Sequence, residues 1–473
     1  AFIARASSAA SPVVKRKARV AVVGAGASGL ASARELLREG HSVSVFESGA
    51  DVGGVWVYDE RVEEDVLGRD NARDVVHSSM YSSLRTNLPR ELMGYPSFPF
   101  TGPFAGDDRR FCGHAEVRAY LRAYGDFHGL LEHVRFGSRV VKATPVETQS
   151  SKTAFGPAWH VSSTCAEGER THEEVFDALV VANGHYSQPR VPSLEGEEAW
   201  PGKLFHSHNY REPEQFAGRR VAVLGASASG EDLSREVASV AEVVYLCARS
   251  WQNPAWAEPG QPPIGVRENL YRKPAIARLH RDGSIEFEDG GETVHVDMVI
   301  FATGYEYSFP FICGVGDDVF SVDDNFLAPL FMHMLPVNMS PSLSFIGLPW
   351  KVVPFPMCEF QSAYVARLLS GRAELPPREE MAASAAAVEE SLTARGVPRR
   401  HGHMLGDAQW EYFDELAALC GDVDPLPKWR QQMYKLTGNN KRSRPEQYRD
   451  EHTDGDVLAE ALEQMQSARA MCK

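Results

Sequence analysis

Two strand–loop–helix units with glycine-rich loops, starting 201 residues apart at Gly24 and Gly225, predict an α/β fold with two Rossmann-like nucleotide-binding domains. Two more apolar runs, Ala178–Gly184 (ALVVANG) and Val296–Gly304 (VDMVIFATG), end in glycine and mark where the chain passes between the units. The second unit therefore reads as an insertion in the first. The expected layout is a flexible tail over 1–17, the first domain over 18–205, the inserted domain over 206–304, and the return of the first domain over 305–473 with a helical C-terminal region.

In order along the chain, Arg19–Gly24 (RVAVVG) reads as a buried strand, Ser28–Arg38 as a helix and His41–Glu47 (HSVSVFE) as a second strand. A polar segment (59–74), an aromatic and proline-rich segment (77–112) and a helix-like stretch (His114–Leu131) follow. The second unit repeats the pattern with strand Arg220–Gly225, helix Gly230–Val240 and strand Val243–Ala248. Beyond residue 375 the chain reads as helical and then as a polar, charged tail.

The 473 residues suffice for two or three domains with their own cores. A net charge of −15 argues against nucleic acid and anionic membrane surfaces, and no apolar run approaches the ~20 residues of a membrane span, so a soluble protein is expected. The seven cysteines are scattered, the nearest two 45 positions apart, with no CxxC and no metal-type cluster. That pattern fits reduced thiols in a reducing compartment, and a cytoplasmic location is expected. Residues 1–34 lack any acidic side chain and 1–14 are rich in Ala, Ser and Arg, the composition of a trimmed tail or of an organellar (plastid) transit remnant. Nothing in the pattern specifies an oligomeric state.

The first loop, Gly24-Ala25-Gly26-Ala27-Ser28-Gly29, follows a strand and opens a helix. Gly24 permits the turn, Gly26 lets backbone approach a pyrophosphate, and Gly29 allows helix and strand to pack closely; the phosphates lie at the helix N-terminus. Glu47 ends the next strand, 23 residues after Gly24, where it can accept from a ribose 2′-hydroxyl. Gly53-Gly54-Val55-Trp56 is a turn in isolation; downstream of a dinucleotide unit its glycines can admit a flavin's pyrophosphate, with Val55 and Trp56 walling the ring. The second loop, Gly225-Ala226-Ser227-Ala228-Ser229-Gly230, has Ser227 at the middle position. At the end of its following strand stands Arg249, 24 residues after Gly225, where an NAD site has an acid; a guanidinium there suits the 2′-phosphate of NADPH. Two such sites imply FAD reduced by NADPH, hence an FAD domain with an inserted NADPH domain. Without a redox cysteine pair, disulfide reduction is excluded and oxygen or a quinone-like acceptor remains.

Trp200–Tyr210 (WPGKLFHSHNY) resembles the FxGxxxHxxxY signature of flavin-containing monooxygenases, with Gly202, His206 and Tyr210 in register and Trp200 in place of Phe. Phe301-Ala302-Thr303-Gly304-Tyr305 is similar to the family's FATGY element. His77-Ser78-Ser79, Ser83–Arg90 (SLRTNLPR), Gly94-Tyr95, Ile346–Trp350 and Pro354-Phe355-Pro356 resemble the plant S-oxygenating branch, and the resemblance spans about 18–440. It implies that His206 positions NADP and its linker, a packed core histidine being the plainer role, and that Tyr210, Thr303 and Gly304 border the cofactors. It also places Asn87 beside the flavin C4a region as the site-positioning residue, where a turn-forming asparagine is the alternative. Glu359 and Gln361 are read as flavin-edge hydrogen-bond partners or as helix-capping residues.

The resemblance implies that NADPH reduces FAD, O2 adds at C4a, and the hydroperoxyflavin gives one oxygen to a soft nucleophile. The cofactor carries that chemistry, so no acid–base triad is expected. The expected substrate is a small thioether, an S-alkyl or S-alkenyl cysteine derivative or a methylthioalkyl metabolite. N-oxygenation of an amine or amino acid, and a non-oxygenating NADPH-binding flavoprotein, are the alternatives.

Overall fold

Near-continuous β-branched runs form the centre of each domain, because a strand in a parallel sheet covered on both faces has no solvent-facing side. A computed structural model describes residues 16–146, 155–165, 171–251, 253–258 and 260–471. The expected N-terminal tail falls almost wholly on residues 1–15, outside the described residues. The first sheet is parallel and five-stranded, in the order Leu343–Phe345, Ala178–Val181, Arg19–Val23, Ser42–Phe46, Val134–Arg135. Helix Ala27–Glu39 follows its central strand and packs against the long buried helix Pro354–Ser370.

The second sheet repeats this arrangement in the order Leu270–Lys273, Val243–Cys247, Arg220–Leu224, Met298–Phe301, Lys203–His206, again all parallel. Its helix runs over Ala228–Ala238. Lys203–His206, which ends at the expected boundary of residue 206, pairs with Met298–Phe301 in this sheet. The linkers cross earlier: Gln188 and Pro189 on the outward pass pair antiparallel with Glu306 and Tyr305 on the return. The strand Lys203–His206 is short and begins with an exposed lysine, so its pattern does not announce a sheet member; pairing does.

One feature lies outside the sequence reading and one differs from it. Ser138–Val146, Ala158–Cys165 and Thr171–Phe176 form an antiparallel sheet whose first strand looks polar because much of it meets solvent. The region beyond residue 400 is no polar tail. Helices Gln409–Cys420, Lys428–Ser443 and Gly455–Met471 bury Phe413, Leu416, Trp429, Met433 and Ala461 in the core of the first domain. Their apolar positions are sparse, and the charged faces between them dominate the local composition. Among the described residues no helix is long and apolar enough to cross a membrane, and no group of His, Cys, Asp and Glu is arranged to hold a metal.

Candidate active site

The first loop shows why each glycine is glycine. Gly24 has φ of +103°, and a Cβ there would lie 2.5 Å from Ala182 O. A Cβ on Gly29 would lie 1.8 Å from Gly24 O, which no rearrangement short of opening the turn relieves. Gly26 differs: its backbone (φ −77°, ψ −168°) suits any residue, and the nearest atom its Cβ would meet is Gly54 Cα at 3.4 Å. The Gly53-Gly54 turn is held there by Gly53 N–H donating to Ala25 O at 3.0 Å. Gly26 and Gly54 together make a side-chain-free surface beside the N–H groups of Ala27, Ser28 and Gly29 that open the helix, a shape and polarity that fit a pyrophosphate. Glu47 accepts from Ala25 N–H (2.8 Å) and Gly49 N–H (2.7 Å), one on each carboxylate oxygen. Oε1 also takes the Ser48 hydroxyl at 3.5 Å, and Oε2 keeps a second lone pair for a ribose hydroxyl. Ser28 Oγ lies 3.2 Å from Cys358 Sγ. The Trp56 ring meets Phe355 edge-on at 6.5 Å, and Val55 is half-buried beside it.

The second loop reproduces the first. Gly225 has φ of +113° with its Cβ position 2.4 Å from Ala302 O, and a Cβ on Gly230 would lie 1.7 Å from Gly225 O. Ser227 occupies the backbone of Gly26 almost unchanged (φ −87°, ψ −166°), so serine there is unstrained. Ser227, Ala228 and Ser229 are exposed at the helix N-terminus. Each loop leans on a carbonyl of a crossing segment, Ala182-Asn183-Gly184 or Ala302-Thr303-Gly304, so the two glycine-terminated runs are equivalent parts of the two domains.

Arg249 is exposed and has no hydrogen bond or ion pair among the described residues. Like charges surround it. Burial, with Arg400 and Arg249, lowers the pKa of Arg190, and burial with Arg400, Lys351 and Arg249 lowers that of His401. Asp324 lies between Arg400 (3.3 Å) and Arg190 (4.0 Å) and answers only part of this charge. A doubly charged phosphate fits such a surplus. Arg190, Asp324 and Arg400 carry no local sequence signal, since they come from the linker, a turn and the C-terminal region.

The signature residues are structural in their direct contacts. A Cβ on Gly202 would strike the Trp200 ring at 2.3 Å, so an aromatic followed by x-Gly packs ring on backbone. His206 is fully buried; its Nδ1 accepts from His208 N–H (3.0 Å) and its Nε2–H donates to Gly304 O (3.1 Å). Burial holds its pKa down at about 3. Both ring nitrogens are taken, so His206 ties the end of its strand to the crossing segment at Gly304 and has no donor left for a nucleotide. Tyr210 is also fully buried, stacked on Phe216 (5.8 Å) and edge-on to Tyr81 (5.5 Å), inside the inserted domain's core. Thr303 Oγ1 donates to Arg190 O, and Gly304 is exposed with φ of +86°.

Glu359 and Gln361 lie inside helix Pro354–Ser370 and cap nothing. Glu359 accepts from Ser97 N–H (3.2 Å) and Oγ (2.6 Å); burial raises its pKa against the pull of Arg34. Gln361 Oε1 accepts from Gly347 N–H (2.9 Å) and its Nε2 donates to Tyr412 Oη (2.7 Å). Gly347, with φ of +93°, leaves no room for a Cβ beside Ser28, so Gln361 braces the first loop from behind. Asn87 is the opposite case: exposed, with no protein partner for its amide among the described residues, on a loop whose neighbours are pinned. Thr86 N–H donates to Cys112 O (2.9 Å) and Arg90 N–H to Arg110 O (2.8 Å). A turn-forming asparagine would spend its side chain on nearby backbone.

Two dinucleotide cradles on two parallel sheets, joined by crossed linkers, define a two-domain flavoprotein oxidoreductase. The flavin-binding monooxygenase-like family model matches residues 17–262 and 264–431, and the chain belongs to that family. It is a flavin-containing monooxygenase, with FAD and NADPH as its cofactors. Its sequence is 44% identical over 453 residues to the flavin-containing monooxygenase FMO GS-OX-like 4 of Arabidopsis thaliana, covering 95% of this chain and 97% of that one. It is 42% identical to FMO GS-OX2 of the same plant, over 94% of each chain. The S-allyl-L-cysteine S-oxygenase of Allium sativum superposes with a TM-score of 0.88 at 42% identity, covering 96% of this chain and all (100%) of that one. Tmm of Pelagibacter sp. strain HTCC7211 shares the fold at TM-score 0.74 and 23% identity, over 92% and 93% of the two chains.

Proposed function

We propose that this monooxygenase converts a small thioether, an S-alkyl or S-alkenyl cysteine derivative or a methylthioalkyl metabolite, to its sulfoxide: thioether, O2, NADPH and a proton give sulfoxide, NADP⁺ and water. The observation that carries this reading is the likeness, over nearly the whole chain, to an S-allyl-L-cysteine S-oxygenase. FAD, when bound, links the two electrons of NADPH to O2, so the protein has to bind, orient and exclude water. Gly26, Gly54 and Glu47 hold the FAD. Ser227, Ala228, Ser229 and Arg249 hold the NADPH. The Asn87 amide, donor and acceptor without charge, orients the reacting region. The direct test is NADPH consumption and product mass over a panel of thioethers and amines. A sulfoxide supports the reading; a hydroxylamine, or H2O2 alone, overturns it.

Two variants test the assigned residues. Arg249→Ala is expected to lose ten- to a hundredfold of the NADPH-over-NADH preference in kcat/KM, the size of a lost charge-assisted contact of ~1.5–3 kcal/mol, while keeping FAD. An unchanged ratio refutes the 2′-phosphate role. Asn87→Asp keeps the size but loses the donor and adds charge. Soluble, flavin-loaded Asn87→Asp protein is expected to go on oxidising NADPH while sulfoxide falls and H2O2 rises. Wild-type coupling in that protein removes Asn87 from the site.

A further inference from the structure

Just beyond the helix that ends at Ser443, and past the end of the family match at 431, residues 446–454 form a segment that touches both halves of the site. Its centre is Arg449. The guanidinium donates from Nε to Thr86 O (3.0 Å) and from Nη2 to Arg85 O (3.3 Å), the two carbonyls directly before Asn87. The Thr86 carbonyl belongs to the peptide bond that joins Thr86 to Asn87. The same guanidinium makes a two-pronged pair with Asp232, Nη1 to Oδ1 at 2.8 Å and Nη2 to Oδ2 at 2.9 Å. Asp232 sits four residues into the helix whose N-terminus forms the second cradle, and it also accepts from Tyr81 Oη at 2.5 Å.

The contacts around this pair join the same three segments to one another and to residues 110 and 111. Arg85 donates to Asp450 (2.8 and 3.1 Å), Arg235 of the second-cradle helix donates to Glu446 (2.7 Å), and Arg110 donates to Asp454 (2.8 and 3.0 Å). Tyr448 packs on Phe111 at 5.5 Å. A planar guanidinium with fixed donor directions transmits position in a way a point charge does not.

We propose that Arg449, with Asp232, is a positioning residue for the reaction: it sets the Asn87 peptide in register with the NADPH-binding helix, so that Asn87 and the nicotinamide reach the flavin together. Arg449 touches no reacting atom. It acts through Asn87, and the proposal rests on the role of Asn87 given above.

The test compares Arg449→Gln, Arg449→Lys, Asp232→Asn, the Arg449→Gln/Asp232→Asn double variant and Asn87→Ser as flavin-loaded proteins. Sulfoxide and H2O2 per NADPH, the KM for NADPH and the rate of flavin reduction at saturating NADPH are measured for each. Arg449→Gln and Asp232→Asn are expected to lose at least fivefold in sulfoxide per NADPH, to raise H2O2 and the KM for NADPH, and to keep FAD and flavin reduction. Lysine is expected to restore only part of the coupling, and the double variant to be no worse than either single one, as two partners in one interaction behave. A merely structural role moves FAD retention and melting temperature and leaves coupling intact in the flavin-loaded fraction. If Asn87→Ser uncouples while both Arg449→Gln and Asp232→Asn stay coupled, the positioning role is overturned and that of Asn87 stands. If Arg449→Gln uncouples and Asp232→Asn does not, the link to the NADPH helix is overturned. If none uncouples, both readings fall. Should Arg449→Gln not fold, isosteric Asp232→Asn alone decides: coupling at the wild-type level overturns the proposal.

Discussion

Gly26→Leu is expected to yield folded, colourless protein, and Gly29→Ala to yield no folded first domain at all. The two glycines are three residues apart and do different things. At Gly29 a single methyl group would lie 1.8 Å from Gly24 O and 2.8 Å from Gly24 C, so the strand–turn–helix junction must open. Loss of such a junction exceeds the ~4 kcal/mol that marks an exceptional single substitution. At Gly26 the backbone is ordinary and the nearest atom a Cβ would meet, Gly54 Cα, is at 3.4 Å. The second cradle makes the point independently, since Ser227 holds the same backbone position with a side chain in place. Gly26 is therefore free of side chain for the sake of what binds there. A leucine would cover the surface facing Gly54 where the FAD pyrophosphate is to lie. Flavin absorbance per protein and a melting curve check both outcomes. A yellow Gly26→Leu protein would remove Gly26 from the cofactor site.

The second large effect is a loss of stability in mild acid that passes through His206. Its folded pKa of about 3 lies below the ordinary value of 6.5, because burial comes first and His208 adds to it. Between those values the unfolded chain binds a proton that the folded chain does not, so stability falls as pH drops below about 6.5 and the loss is complete near 3. At pH 5 this amounts to about 2 kcal/mol for His206 alone. The geometry agrees: a proton on Nδ1 would point at the His208 N–H that this nitrogen accepts. His403 and His333 run the same way. His403 Nε2–H donates to Leu327 O (3.1 Å), so its Nδ1 accepts from His333 Nδ1–H (3.1 Å); burial lowers both pKa values, that of His333 to about 4. Buried Glu359, half-buried Glu236 and exposed Glu415 have raised pKa values, desolvation being the first cause in each, and oppose the trend. The specific check is therefore a difference. Urea midpoints at pH 7.5 and pH 5 are expected to lie closer together in His206→Gln than in the parent, by an amount equivalent to about 2 kcal/mol. An identical pH dependence in the two proteins would show that His206 is not held neutral.

The placement of Glu47 and Arg249 at the ends of the second strands was legible because a strand–loop–helix–strand unit has one geometry. The residue that ends the second strand always comes beside the loop, whatever else the chain does. Gly29 and Gly230 were legible for the same reason, as their neighbours lie only five residues away. His206, Glu359 and Gln361 were read toward the cofactors, and the structure shows their polar atoms taken up by Gly304, Ser97 and Tyr412. Those partners lie 98, 262 and 51 positions away. Nothing in local spacing tells a buried polar group that faces a ligand from one that faces another segment, because both must be satisfied.

By itself, then, the sequence determined what depends on neighbours a few residues apart: two glycine loops opening two helices, the acid after the first and the base after the second, and hence two dinucleotide sites in one α/β chain. Tertiary structure alone decided where the inserted sheet begins, which polar residues stay free, and what holds them. The C-terminal helices look like a charged tail until their apolar positions meet the first domain's core, and only the folded chain shows that the neighbours of Asn87, which the family resemblance singles out, are pinned while its amide is left open. The physical reason is the range of the interactions: backbone sterics act within a turn, whereas burial and hydrogen-bond satisfaction depend on segments that only the folded chain brings together.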